Sequence, residues 1–116
     1  MACAFWPVMN ELKDHVALVT GATSGIGKAS AIRLASAGAR VGVLGRNDEK
    51  LKQVVSEIRA GGGEAIALDV DISQAKEVQG TIQELIDKWQ RLDIVFANAG
   101  INGVWAPLSE LEPDEW

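Results

Sequence analysis

The chain has 116 residues, of which 47% are apolar, and it carries a formal net charge of −5. This length fits one small domain or part of one, and the acidic balance without a basic stripe excludes a general nucleic-acid binder. No apolar run reaches the roughly 18 residues of a membrane span, so no membrane association is expected. The single cysteine, Cys3, cannot form an internal disulfide, which favours a cytoplasmic location.

The first eleven residues are interpreted as an N-terminal extension. The segment from Met1 to Met9 is apolar, but it lacks the basic start and the small-residue cleavage site of a signal peptide. The pattern of a folded domain begins at Leu12 and continues to Trp116.

An apolar run at residues 16–20 predicts the first strand, and the glycine-rich segment TGATSGIG (residues 20–27) follows it. A buried strand that turns in this way into a helix directs backbone N–H groups and the helix N-terminus at one place, which suits an anion. Gly21 allows the tight turn and Gly25 leaves room for a pyrophosphate. Gly27 allows the helix to pack closely on the sheet.

The other residues of this segment complete the predicted anion site. Thr23 and Ser24 add hydroxyl donors, and Ile26 lies between the last two glycines. The Walker phosphate loop fails as an explanation, because Ala22 stands where it needs glycine and Ala29 where it needs serine or threonine. Taken alone, the glycines also fit an ordinary strand–helix corner without a ligand.

The remaining chain alternates helices and strands with short connections. The first helix is predicted over residues 25–37, and further strands over residues 41–44, 65–69 and 92–97. Asn47 and Ser73 are the expected N-caps of the second and third helices. This alternation is typical of an α/β, doubly wound, Rossmann-like parallel sheet. Here it is truncated after the fourth strand, as a further helix begins near Pro113.

Two more motifs follow predicted strands. Asp69 and Val70 end the third strand, and Asn98, Ala99 and Gly100 follow the fourth. Each is an ordinary turn residue when taken alone. The carboxyl ends of strands one, three and four, however, surround the switch point at which a doubly wound sheet binds its nucleotide. Residues 12–116 therefore read as a partial dinucleotide-binding domain.

With the T-G-x-x-x-G-x-G turn and these motifs, the chain resembles the N-terminal, cofactor-binding half of the short-chain dehydrogenase/reductase family. The resemblance implies an NAD(P)-dependent oxidoreductase that transfers a hydride between the nicotinamide and a carbonyl or alcohol substrate, and a homo-oligomer at full length. It implies that Asp69 and Val70 hold the adenine ring and that Asn98 steadies the centre of the sheet. Ala99 and Gly100 would line the nicotinamide-side ribose.

Cofactor preference depends on the end of the second strand. An Asp or Glu about 20 residues past the glycines would bond the ribose 2′-OH of NAD, but this chain has Gly45 followed by Arg46. A guanidinium beside a neutral gap suits the 2′-phosphate of NADP. The sequence therefore favours NADP over NAD. Two alternatives would remove this preference: Arg46 is solvated and only stacks on adenine, or Asp48 or Glu49 neutralises its charge.

The catalytic residues of the family are missing, since the chain contains no tyrosine. The resemblance implies a Tyr proton donor with a Lys four positions on, together with a Ser and an Asn, all after the Asn-Ala-Gly turn. No catalytic residue and no metal ligand is therefore assigned. Two function classes remain: the cofactor-binding part of an oxidoreductase, or a non-catalytic NAD(P)-binding module that ends here.

The 116-residue chain alone is expected not to oxidise or reduce any carbonyl or alcohol at an enzymatic rate, because it lacks the proton donor. Reduced-cofactor absorbance with a panel of ketones and alcohols measures this directly. Turnover by the purified chain that depends on its cofactor site would contradict the expectation.

Overall fold

The computed structural model describes residues 11–23, 25–98 and 108–110. Within these ranges, strands and helices alternate along the chain. The strands are β1 (Val16–Thr20), β2 (Arg40–Gly45), β3 (Glu64–Asp69) and β4 (Ile94–Phe96). The helices are α1 (Gly25–Ser36), α2 (Asp48–Ala60) and α3 (Ala75–Trp89), and a 3₁₀ turn lies at Leu108–Glu110. No helix in the described part of the chain is long and apolar enough to cross a membrane.

The four strands form one parallel sheet in the order β3-β2-β1-β4. In this register Val19 of β1 lies opposite Val43 on one side and Phe96 on the other. The chain moves outward from β1 to β3 and then crosses back to place β4 on the other side of β1. The predicted Rossmann-like α/β fold is confirmed, and the switch point of the sheet lies between β1 and β4.

One face of the sheet is covered by α1 and α2. The apolar stripe predicted for α2 is buried there, and burying each side chain of this size contributes about 1.5–3 kcal/mol. The stripe consists of Leu51, Val54, Val55 and Ile58. It packs in one cluster with Val19, Val41 and Val43 of the sheet.

The opposite face is covered by α3, whose Leu85 is fully buried in a second cluster with Val16 and Leu18 of β1. A Cβ on Gly42 of β2 would lie 2.9 Å from Leu85 Cδ1 and 3.1 Å from Leu68 Cδ1. Glycine in the middle of β2 therefore makes room for α3. Because helices cover both faces, β1 and β2 are apolar without alternation.

The helix N-caps agree with the sequence at one position and differ at the other. Asn47 caps α2, since its Oδ1 accepts from the Lys50 N–H at 3.1 Å. The cap predicted at Ser73 is wrong, because α3 begins after Gln74, whose side chain makes no capping bond. Ser73 instead donates to Asp71 from both its backbone N–H and its hydroxyl.

Among the described strands, β4 pairs with β1 alone and forms an edge of the sheet. Val95 on β4 is 58% exposed. An open groove of about 660 Å³ runs between this edge and α1. Its lining residues are Ile26, Ala29, Ser30, Arg33, Leu34, Ile94, Val95 and Phe96.

At the amino ends of β1 and β4, the strands are joined through Asp93. Its Oδ2 accepts from the Val16 N–H at 2.8 Å, while its own N–H donates to the Val16 carbonyl at 2.9 Å. Arg91 binds both carboxylate oxygens, at 2.7 and 2.8 Å. The Arg91 hydrogen bond, followed by that from Val16, lowers the pKa of Asp93 from its ordinary value of 3.8 to about 2.

This depressed pKa makes Asp93 a source of pH-dependent stability. The contribution is complete above pH 3.8 and is lost as the pH falls toward about 2, because protonation removes the acceptor. Asp93→Asn should therefore unfold at lower urea than the wild type at neutral pH, with the difference shrinking in acid. Urea midpoints measured across this range test it. The control is Glu64→Gln, which removes a carboxylate paired with Arg40 at 3.5 Å. An equal loss of stability in this variant would contradict a specific role for the Asp93 carboxylate.

Candidate dinucleotide-binding site

The turn after β1 has the backbone conformation that its glycines permit. Gly21 (φ 64°) and Gly25 (φ 58°) both lie in the left-handed region, which L side chains rarely adopt. Gly25 also begins α1, so the unpaired N–H groups of the first helical turn start here. Within the described part of the chain, a Cβ at Gly25 would meet no atom within 4 Å apart from its chain neighbours. Among these residues, the space beside the start of α1 is therefore open at the position where the sequence predicts a pyrophosphate.

Gly27 meets a different constraint. It is buried in α1, and a Cβ here would overlap the carbonyl oxygen of Gly21 and lie 2.7 Å from the side-chain nitrogen of Asn98. The close packing expected of Gly27 is therefore present, although the atoms it meets belong to the turn and to the residue following β4 rather than to the strands themselves. Glycine at this position lets α1, the turn at Gly21 and the segment after β4 come into contact.

Asn98 and Thr20 join the carboxyl ends of β1 and β4. The Asn98 backbone N–H donates to Thr20 Oγ1 at 2.9 Å, and its side-chain nitrogen donates to the Gly21 carbonyl at 3.4 Å. The Thr20 hydroxyl donates to the Phe96 carbonyl at 3.4 Å. Thr20 was not among the predicted site residues. Its position at the end of an otherwise apolar strand was the signal for it, since a buried hydroxyl requires hydrogen-bond partners.

Thr23 and Ile26 occupy opposite sides of the turn. The Thr23 methyl lies 3.2 Å from where a Cβ on Gly45 would stand, so the turn after β1 contacts the end of β2. Ile26 is 71% exposed at the start of α1 and also lines the groove beside Val95. It presents apolar surface next to the open space at Gly25.

The ends of β2 and β3 meet at a second corner of the site. Gly45 lies opposite Asp69 in the register, and the Val70 N–H donates to the Gly45 carbonyl at 3.0 Å. Asp69 is exposed and Val70 is half-buried. This pairing brings the predicted adenine-binding residues next to Arg46, which follows Gly45.

Arg46 is paired, but not with either acid considered from the sequence. Its Nη2 donates to Asp71 Oδ2 at 2.6 Å, while Asp48 binds Lys52 at 2.9 Å. Hydrogen bonds from Ser73, and then the charge of Arg46, lower the pKa of Asp71, so this carboxylate is ionised at neutral pH. Asp71 was not among the predicted site residues. A parallel arrangement of β2 and β3 brings the ends of the two strands together, but the register that puts Asp71 within reach of Arg46 is visible only in the fold.

The described site residues thus fall into two groups at the carboxyl edge of the sheet. The first surrounds the helix N-terminus and comprises Gly21, Gly25, Ile26, Gly27 and Asn98. The second comprises Arg46, Asp69 and Val70, with Thr23 lying between the groups. Three predicted residues lie outside the described ranges: Ser24, Ala99 and Gly100.

A family model described as short chain dehydrogenase matches residues 15–116. A 3beta-hydroxysteroid dehydrogenase of Mediterraneibacter gnavus is 40% identical over 109 residues, which are 94% of this chain and 40% of the relative. The sequence likeness therefore includes both groups of predicted site residues.

Two solved structures share the fold. A metagenomic short-chain oxidoreductase in complex with NADP has a TM-score of 0.78 and 40% identity, over 90% of this chain and 48% of its own. NAD⁺-bound xylitol dehydrogenase has a TM-score of 0.77 and 33% identity, over 90% of this chain and 40% of its own. The chain spans less than half the length of these proteins.

The two glycines in α1 are expected to respond differently to substitution. If the open space receives a dinucleotide, Gly25→Val should weaken its binding by roughly tenfold or more, because the side chain would enter that space and the left-handed backbone would add roughly 1–3 kcal/mol of strain. Gly27→Ala should chiefly destabilise the fold, because its methyl would overlap the Gly21 carbonyl. Calorimetric titration and urea unfolding separate the two effects.

The control for strain is Gly62→Val. Gly62 has φ 90°, and a Cβ there would also meet nothing within 4 Å, but it lies after α2, away from the turn. This variant should lose stability and keep its affinity for NADP. Equal affinity in Gly25→Val and the wild type would contradict the assignment of the open space.

Proposed function

Because the chain belongs to the short-chain dehydrogenase family, we propose that it is the cofactor-binding part of an NADP-dependent oxidoreductase. The whole protein interconverts a carbonyl and an alcohol substrate. The alternative of a non-catalytic NAD(P)-binding module has less support, since the relatives described above are named as dehydrogenases or oxidoreductases.

The observation that carries the proposal is the open space at Gly25. It lies beside the N-terminus of α1, which carries roughly half a positive charge, and the adjoining turn is held by the contacts among Gly21, Gly27 and Asn98. A pyrophosphate fits such a cradle because it needs backbone donors at short range and no side chain in the way.

The preference for NADP rests on Arg46. Both an NADP complex and an NAD⁺ complex share this fold, so the preference must come from individual side chains. At Gly45 there is no carboxylate to bond the 2′-OH of NAD. The Thr23 methyl lies 3.2 Å from where a Cβ on Gly45 would stand. Arg46 is 75% exposed and offers a planar guanidinium suited to a phosphate.

Within this proposal, the residues of the chain bind and orient the cofactor. When bound, the nicotinamide ring supplies or accepts the hydride. The hydrogen bond from the Asn98 N–H to the Thr20 hydroxyl oxygen holds the ends of β1 and β4 in register, on the side where the nicotinamide would bind. We place the proton donor for the substrate oxygen outside these 116 residues, because they include no tyrosine.

Arg46→Asp should weaken NADP binding by at least roughly tenfold, the scale of a lost hydrogen bond to a charged group, and should affect NAD much less. The substitution replaces an attractive charge at the 2′-phosphate with a repulsive one. Titration calorimetry with both cofactors on the whole protein measures the change in selectivity.

Lys50→Asp is the matched control, because it makes the same charge change four positions along the chain. It should leave the ratio of the two affinities unchanged. Unaltered NADP affinity in Arg46→Asp would show that the guanidinium does not bind the phosphate.

A further inference from the structure

The carboxylate that pairs with Arg46 is held in place independently of the arginine. Asp71 Oδ1 accepts from the Ser73 N–H at 3.0 Å and from the Ser73 hydroxyl at 2.7 Å. The Asp71 carbonyl accepts from the Gln74 N–H at 3.0 Å, which closes the turn that carries it. This local turn therefore fixes the negative charge beside the corner formed by β2 and β3.

The arginine is held far less firmly. Its side chain is 75% exposed, against 29% for Asp71, and within the described residues it contacts Asp71 through Nη2. An exposed ion pair of this kind is weak and screened by salt. The guanidinium can therefore leave the carboxylate for another acceptor, while the carboxylate stays where Ser73 holds it.

We infer that Asp71 is a selectivity residue of the cofactor site that competes with the 2′-phosphate for Arg46. A phosphate approaching this corner meets a neutral pair rather than a free cation, and it is repelled by the carboxylate that remains after the arginine moves. NAD carries no charge at this position, so it leaves the pair intact. Asp71 thereby reduces the preference for NADP over NAD by weakening the binding of NADP alone. The inference rests on the proposed role of Arg46.

The test is Asp71→Asn, which removes the charge and keeps a side-chain oxygen as acceptor for Ser73. Affinity for NADP should rise by roughly two- to fivefold, the range open to an exposed ion pair, and affinity for NAD should stay the same. The gain should shrink at high salt. Calorimetric titration of the whole protein with each cofactor, at low and high salt, gives these values, with urea midpoints to check folding.

Two further variants make the result specific. Asp48→Asn removes a charge two residues from Arg46 whose carboxylate binds Lys52 instead, and it should change neither affinity. In an Arg46→Ala background, Asp71→Asn should raise NADP affinity less than it does in the wild type. An equal gain from Asp48→Asn, or an undiminished gain in that background, would show a long-range charge effect and overturn the competition.

A decrease in NADP affinity on Asp71→Asn, in place of the expected increase, would also decide the question. If Asp71→Asn weakens NADP, the carboxylate orients the arginine for the phosphate and the inference is wrong. A failure of the proposed function looks different, because Arg46→Asp would then leave NADP affinity unchanged. A strong effect of Arg46→Asp together with no gain from Asp71→Asn removes the further inference alone.

Discussion

The structure depends on the close approach of α1 to the turn that precedes it. At Gly27 the helix backbone comes so near the Gly21 carbonyl and the Asn98 amide that a single methyl group would not fit. This approach points the helix N-terminus at the switch point and leaves the open space at Gly25. At Gly42 in the sheet the nearest atoms are the ends of leucine side chains, whereas here backbone atoms would have to move.

The short strand β4, which lies at the edge of the sheet among the described strands, is positioned by polar contacts at both of its ends. At the amino end, the Asp93 carboxylate binds the first N–H of β1. At the carboxyl end, the Thr20 hydroxyl accepts from the Asn98 N–H. With only three residues in the strand, ladder hydrogen bonds alone would leave its register weakly specified. These side chains fix the position of Asn98 relative to the glycine turn.

Local patterns predicted the fold, while contacts between distant segments escaped them. The bounds of β1 and the cap at Asn47 follow from composition and nearest neighbours, and so do the tight turn at Gly21 and the close packing at Gly27. Ser73 was misread because a serine hydroxyl can cap a helix or bond a nearby carboxylate, and only the fold places Asp71 within reach. The partners of Thr20 and Arg46 depend on strand register, which a single sequence does not display.

The hydrogen bonds between β1 and the residues that flank β4 also bear on the order of folding. β1, β2 and β3 are joined by short βα units, whereas the bond from Val16 to Asp93 spans 77 positions of the chain. Closing a loop of that length costs entropy before any contact is gained. The last strand to join the sheet is therefore expected to be β4, which brings Asn98 to Gly21. Newly made chains would acquire most of their core first and their ability to recognise a ligand only at the final docking step.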